Sequence, residues 1–127
     1  MSERRQKVLV VEENYSVQEA IKALLEDEFC VLTASTGSEA LVMLQQHEDV
    51  RVVTTSTLRG QQVNGFVLAQ EIRAQEIGSQ HVGRKKIILV TGADGLTIPE
   101  NIRARFNAIV HKPFLSALPQ KIRVFLA

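Results

Sequence analysis

Apolar positions in this chain follow two alternating patterns: short continuous runs, and longer stretches in which they return every three or four residues. The first run, Lys7–Val11 (KVLVV), has strand length and no polar alternation, as in a strand covered on both faces. Glu12-Glu13-Asn14 ends it. Ser16 and Glu19 then stand at capping-box spacing, and Val17, Ala20, Ile21 and Leu24 predict a helix to about Glu26. Phe29–Thr33 reads as strand two. Thr36 and Glu39 repeat the capping spacing before a helix carrying Ala40, Leu41, Met43 and Leu44.

The third strand is the one around which the rest is arranged. Val52-Val53-Thr54-Thr55-Ser56-Thr57 is rich in β-branched residues and ends in a run of hydroxyls. A loop, Leu58–Val63, leads to a helix from about Asn64 to Ile77 with Phe66, Ala69 and Ile72 on one face. Gly78 and Gly83 bracket a polar loop, and Lys85–Thr91 is strand four. After the turn Gly92-Ala93-Asp94-Gly95, Pro99 suits the first turn of a short helix carrying Ile98 and Ile102. Ala108-Ile109-Val110 is strand five, ending at His111-Lys112-Pro113-Phe114. The last helix starts near Ser116, with Pro119 in its first turn and Leu118, Ile122, Phe125 and Leu126 on its buried face.

Strands and helices alternate five times, which implies α/β architecture with a parallel sheet between two helical layers. Right-handed crossovers leave few topologies, and the doubly wound, flavodoxin-like order 2-1-3-4-5 is the expected one. In that order the C-terminal ends of strands one, three and five meet at the switch point, where such sheets place their chemistry. The residues brought there are Glu12 and Glu13, Ser56 or Thr57, Thr91, and Lys112. Two readings stand side by side. Acids, hydroxyls and a lysine can hold a hard cation and a phosphoryl group; equally, Lys112 can be held by Glu12 or Glu13 as a partly buried ion pair.

Those residues carry a resemblance. From Lys7 to about Phe125 the chain resembles a receiver domain of a two-component response regulator. The matching pieces are Val8-Leu9-Val10-Val11-Glu12-Glu13-Asn14, Thr36-Gly37-Ser38-Glu39-Ala40-Leu41, Asn64-Gly65-Phe66, Ile87-Ile88-Leu89-Val90-Thr91-Gly92 and Lys112-Pro113-Phe114. Each is weak alone; their order and spacing are specific. The resemblance implies that Glu12 and Glu13 stand for an acidic pair that holds magnesium. It also implies that Thr91 and Lys112 stand for the residues contacting a phosphoryl group placed on a strand-three aspartate by a histidine kinase.

That aspartate is missing. Counting back from Asn64-Gly65 puts its place at Thr57, whereas matching the apolar strand Val50–Val53 puts it at Ser56. The proline common in the next loop is also missing, with Gly60 and Gln61 near its place, and the aromatic switch residue of strand five is Ile109. A carboxylate is ionised at neutral pH, while a hydroxyl is a weak nucleophile without a neighbouring base. None of His47, His81 and His111 is positioned by the pattern to serve as one. With one carboxylate gone, any magnesium at Glu12 and Glu13 is expected to be weakly held, and no other cofactor is implied.

The expectation is therefore a receiver fold that is not an enzyme and works without aspartyl phosphorylation, as a protein-interaction module in bacterial signalling. Its expected contact face, for a protein partner or a second copy, is helix four, strand five and helix five, with Arg103, Arg105, Lys121 and Arg123 making that end basic. The alternative is phosphorylation on Ser56 or Thr57, or a crevice that takes a small phosphorylated ligand; the acidic, glycine-free loop after strand one argues against phosphate there.

Composition changes this picture little. The 127 residues, expected to form one domain over 1–127, are 45% hydrophobic and 23% charged, as in globular proteins. No apolar run is long enough to span a membrane and no signal-peptide cleavage pattern precedes strand one, so a cytoplasmic location is expected. Cys30 stands alone in an apolar run and reads as a buried small hydrophobe. Charge matters more. Residues 1–49 carry ten acids and four bases, and residues 50–127 four acids and eleven bases, so a net charge of +1 hides halves of −6 and +7. No helix has a dense basic stripe and aromatics are scarce, which argues against nucleic acid.

Overall fold

The computed structural model describes residues 5–77, 85–92, 98–112 and 115–127. Five parallel strands form one sheet in the order β2-β1-β3-β4-β5: β1 Lys7–Val11, β2 Cys30–Ala34, β3 Val50–Thr55, β4 Lys86–Thr91 and β5 Ala108–His111. The helices between them are α1 Tyr15–Leu25, α2 Gly37–Gln46, α3 Gly65–Glu76 and α4 Glu100–Arg103. A short 3-10 helix, Leu115–Ala117, then leads into α5, Leu118–Leu126. This is the doubly wound topology expected from the alternation of patterns. Expectations for Gly78 and Gly83, His81, the Ala93-Asp94-Gly95 turn and Pro113-Phe114 fall outside the described residues.

The continuous apolar runs find their explanation in two cores. Successive side chains of a strand point to opposite faces. Leu9, Val11, Val53, Ile87 and Leu89 pack with Ala40 and Leu44 of α2 and Leu68, Ala69 and Ile72 of α3. Val8, Val10, Val52, Ile88, Val90 and Val110 pack instead with Ile21 and Leu25 of α1 and Leu118 and Ile122 of α5. Both faces of the central strands are dry, so neither face alternates with polar residues. No helix among the described residues is long and apolar enough to cross a membrane.

Several boundaries differ from the sequence reading, each for a local reason. The cap of α1 is Asn14, whose Oδ1 accepts from Val17 N at 3.1 Å, so Ser16 lies inside the helix. Thr36 does cap α2 through Glu39 N at 3.0 Å, but Glu39 reaches back to Ser35 N, one residue before the cap. Asn64 caps α3 through Val67 N at 2.9 Å. Pro99 precedes the four-residue α4 rather than lying within it. β3 ends its ladder at Thr55, two residues earlier than its hydroxyl run suggests, although Ser56 N still donates to Val11 O at 3.1 Å. Cys30 is half-buried, because β2 is an edge strand with one neighbour.

Ion pairs tie the layers together at the ends of strands. Lys7 at the start of β1 reaches Asp49 at 2.9 Å, and that hydrogen bond holds the Asp49 carboxyl below its ordinary range. At the same end of the sheet, Arg73 of α3 donates to Lys85 O at 2.8 Å, Glu76 Oε1 at 3.1 Å, Arg105 O at 3.2 Å and Asn107 Oδ1 at 2.8 Å. This one side chain joins α3 to the entry of β4 and to the turn between α4 and β5.

Candidate functional site

The C-terminal strand ends converge as the topology requires. Glu12, the first residue past β1, is 2% exposed and fully engaged. Its Oε1 accepts from Lys112 Nζ at 3.1 Å, one residue past β5, and its Oε2 accepts from Asn14 N at 2.9 Å. Of the two partners open to Lys112 in the sequence, the buried Glu12 is therefore the one used. The buried Gln18 of α1 closes the arrangement from behind by donating to Glu12 O at 2.9 Å and Ala34 O at 3.2 Å.

Glu13 goes elsewhere. It is exposed, and its Oε1 accepts from Gln61 Nε2 at 2.9 Å. Gln61 also donates to Ser35 O at 3.2 Å and accepts from Gly37 N at 3.1 Å, so it links the loop after β3 to the turn before α2. In the sequence Gln61 only stands near the place of a missing proline. Its role depends on three loops from distant parts of the chain, and no local signal in the sequence marks it.

These contacts bear on the cation that the resemblance implies. A magnesium ion wants near-octahedral oxygen ligands, usually with carboxylates among them. Here one acid is neutralised by an ammonium at 3.1 Å and the other is held by an amide. Among the described residues no three His, Cys, Asp or Glu side chains gather where they could hold a metal ion. Glu12 and Glu13 are thus each engaged by another side chain rather than turned toward a common centre.

At the end of β3 the two hydroxyls part company. Strand alternation puts Ser56 on the α1/α5 face of the sheet, the face of Val52. It is buried, and its Oγ has no hydrogen-bond partner. Thr57 instead borders an open hollow of about 220 Å³ between the starts of α3 and α4, together with Arg59, Asn64, Phe66, Thr91, Ile98 and Pro99. The backbone fixes this division. Leu58 adopts a left-handed conformation (φ 52°) with its side chain in the core, and Gly60 follows at φ 88°. Gly65 N donates to Thr57 O at 2.8 Å, and a Cβ at Gly65 would run into the Ser56 carbonyl oxygen, so α3 starts pressed against the end of β3. That contact requires glycine.

The remaining predicted residues are placed as follows. Thr91 is buried at the end of β4 and lines the same hollow as Thr57. Ile109 is half-buried and packs on the α2/α3 side of the sheet, among aliphatic residues and Phe106. Of the three histidines, His47 forms the C-terminal cap of α2 and His111 is exposed. Arg103 is exposed, while Arg105 and Lys121 are half-buried. Arg123 differs from expectation. Its Nε lies 2.9 Å from both carboxylate oxygens of Glu28, across the α1–β2 turn, so this cation is directed toward α1 rather than standing free beside α4.

Comparison with known proteins places this geometry. No curated protein matches the chain. Solved structures do: the signal receiver domain of a protein described as the Luxo repressor of Vibrio parahaemolyticus superposes with a TM-score of 0.81 at 18% identity, over 96% of this chain and 90% of that one. A receiver domain (CheY-like) from Methylobacillus flagellatus matches with a TM-score of 0.78 at 20% identity, over 95% and 98%. A response regulator/GGDEF domain protein matches at 0.80 and 23% identity, over 96% of this chain but 49% of its own length, so this chain spans about half of that protein. At these identities the structures speak to the fold. The family model described as "Response regulator receiver domain" matches residues 8–123, nearly the whole chain. The chain thus belongs to the receiver-domain family, as the receiver domain of a two-component response regulator.

Proposed function

We propose that this receiver domain acts without aspartyl phosphorylation and without magnesium, as a protein-interaction module whose contact face is α4, β5 and α5. The observation that carries the reading is the end of β3. Where the family presents an ionised carboxylate, the residue facing the open hollow is Thr57, whose hydroxyl is protonated at neutral pH. Two further features support it. Lys112 is already charge-compensated by Glu12, and Ile109 offers no aromatic ring to follow a movement of Thr91. With the input chemistry altered, the surface that reads the switch is the one expected to retain a role. Arg103, Arg105 and Lys121 remain there as cations for an acidic partner or for a second copy of the chain.

Incubation with acetyl phosphate and magnesium is expected to leave the intact mass unchanged. An added phosphoryl group labile to hydroxylamine would refute the loss of acceptor function. For the contact face, sedimentation equilibrium of the Arg103→Glu, Arg105→Glu double variant should show weakened self-association, with Glu13→Lys as the control that leaves it intact. Arg103 and Glu13 are exposed, where a charge contributes roughly 0–1 kcal/mol; Arg105 is half-buried, so circular dichroism of the double variant is measured alongside to show that it is folded. Association lost in Glu13→Lys and kept in the arginine variant would move the function to the crevice.

A further inference from the structure

The hollow beside Thr57 has a chemical character of its own. Its floor and α4 side are apolar, formed by Phe66, Ile98 and Pro99. Its rim carries donors. Arg59 is exposed and makes no ion pair or hydrogen bond among the described residues, and the Thr57 hydroxyl likewise has no partner among them. The Asn64 Oδ1 is committed to capping α3 at Val67 N, which leaves its amide nitrogen to donate. Among the described residues that line the hollow none is acidic. The two carboxylates nearest in sequence order to the switch point are spent elsewhere, Glu12 on Lys112 and Glu13 on Gln61.

The loop geometry favours this arrangement at some cost. A buried leucine with φ 52° is strained by about 1–2 kcal/mol, and such strain persists where surrounding structure imposes it. Turning the chain at Leu58 buries that side chain while leaving Thr57, Arg59 and Gly60 all bordering the hollow.

We infer that the hollow between α3 and α4 binds a small amphipathic anion non-covalently, with its carboxylate or phosphate held by Arg59, Thr57 and Asn64 and its apolar body resting on Phe66, Ile98 and Pro99. A volume of about 220 Å³ suits a fragment of one ring with its anionic substituent rather than a nucleotide. The guanidinium fork matches either oxyanion, so carboxylate and phosphate monoester share one recognition chemistry. Thr91, buried at the back of the same hollow, puts the end of β4 beside the ligand. The inference is independent of the α4–β5–α5 contact face: self-association and ligand binding can each fail alone.

The test is an amide chemical-shift titration of the whole chain with benzoate, phenyl phosphate, inorganic phosphate and benzyl alcohol. Saturable shifts at Thr57, Arg59, Gly60 and Asn64 with benzoate or phenyl phosphate are expected, the tighter of the two naming the anion. Arg59→Gln should weaken that binding by on the order of tenfold, as loss of a charge-assisted hydrogen bond implies. Because Arg59 is exposed and makes no ion pair among the described residues, this variant should fold like the parent, which its amide spectrum will report. Benzyl alcohol binding as tightly as benzoate would overturn the role of the anion. Inorganic phosphate binding as tightly as phenyl phosphate would overturn the role of the apolar floor. Undiminished affinity in Arg59→Gln, or shifts confined to other regions, would overturn the site itself.

Discussion

Arg73→Met is expected to lower stability by about 3 kcal/mol, through the loss of several charge-assisted hydrogen bonds at once. The wild-type guanidinium makes four hydrogen bonds, to two backbone carbonyls, Glu76 and Asn107. Methionine fills similar volume but removes all four. It also takes from Glu76, only 6% exposed, its hydrogen bond to the guanidinium, while the Lys85 N–H at 3.1 Å still serves the other carboxylate oxygen. Losing four charge-assisted hydrogen bonds at once, three of them part-buried, costs more than losing a surface pair. Lysine should not rescue it, because a single ammonium cannot reach groups arranged for a planar fork. Urea unfolding should show a lower midpoint at unchanged slope, since the same surface is exposed. Arg73→Met within 0.5 kcal/mol of wild type would mean that the network is ornamental.

Lys112→Met should also destabilise strongly, by about 2–3 kcal/mol, for a related reason. Glu12 is almost completely buried and keeps only the Asn14 N–H when the ammonium is gone. The diagnostic step is the double variant. Adding Glu12→Gln removes the stranded charge while an amide oxygen can still accept from Asn14, so much of the loss should return. Glu12→Gln alone, with Lys112 about one-third open to water, should cost less than Lys112→Met. Failure of the double variant to recover stability would show that the lysine acts through packing of its stem rather than through the pair.

The same two networks show what could be read in advance. Convergence of Glu12 and Lys112 followed from the strand order, because parallel strands in this order bring the ends of β1 and β5 to one place. Which glutamate takes the lysine did not follow, because it depends on side-chain direction past the end of a strand. Arg73 gave no signal at all: in the sequence it is one cation in an amphipathic helix. Its four acceptors come from residues 76, 85, 105 and 107 and meet only when α3 lies against the sheet. Gln61 and Arg59 are similar cases, their partners or surroundings being set by a left-handed turn at Leu58 that no residue preference announces.

The sequence by itself determined the elements and their order. Periodicity of 3.6 or continuous apolarity is a property of neighbours along the chain, and burial of each pattern on the correct face leaves few doubly wound arrangements, of which 2-1-3-4-5 is the one formed. The cap at Thr36 was legible from its spacing, whereas the spacing of Ser16 and Glu19 pointed two residues past the actual cap, Asn14. It also determined that the end of β3 carries hydroxyls and no carboxylate. The tertiary structure alone decided how those hydroxyls are divided, with Ser56 buried and Thr57 at the hollow. It likewise decided that Arg123 is held by Glu28 and that Glu13 is held by Gln61. These are contacts between side chains 48 to 95 residues apart, and only the closed packing of helices on the sheet sets their distances.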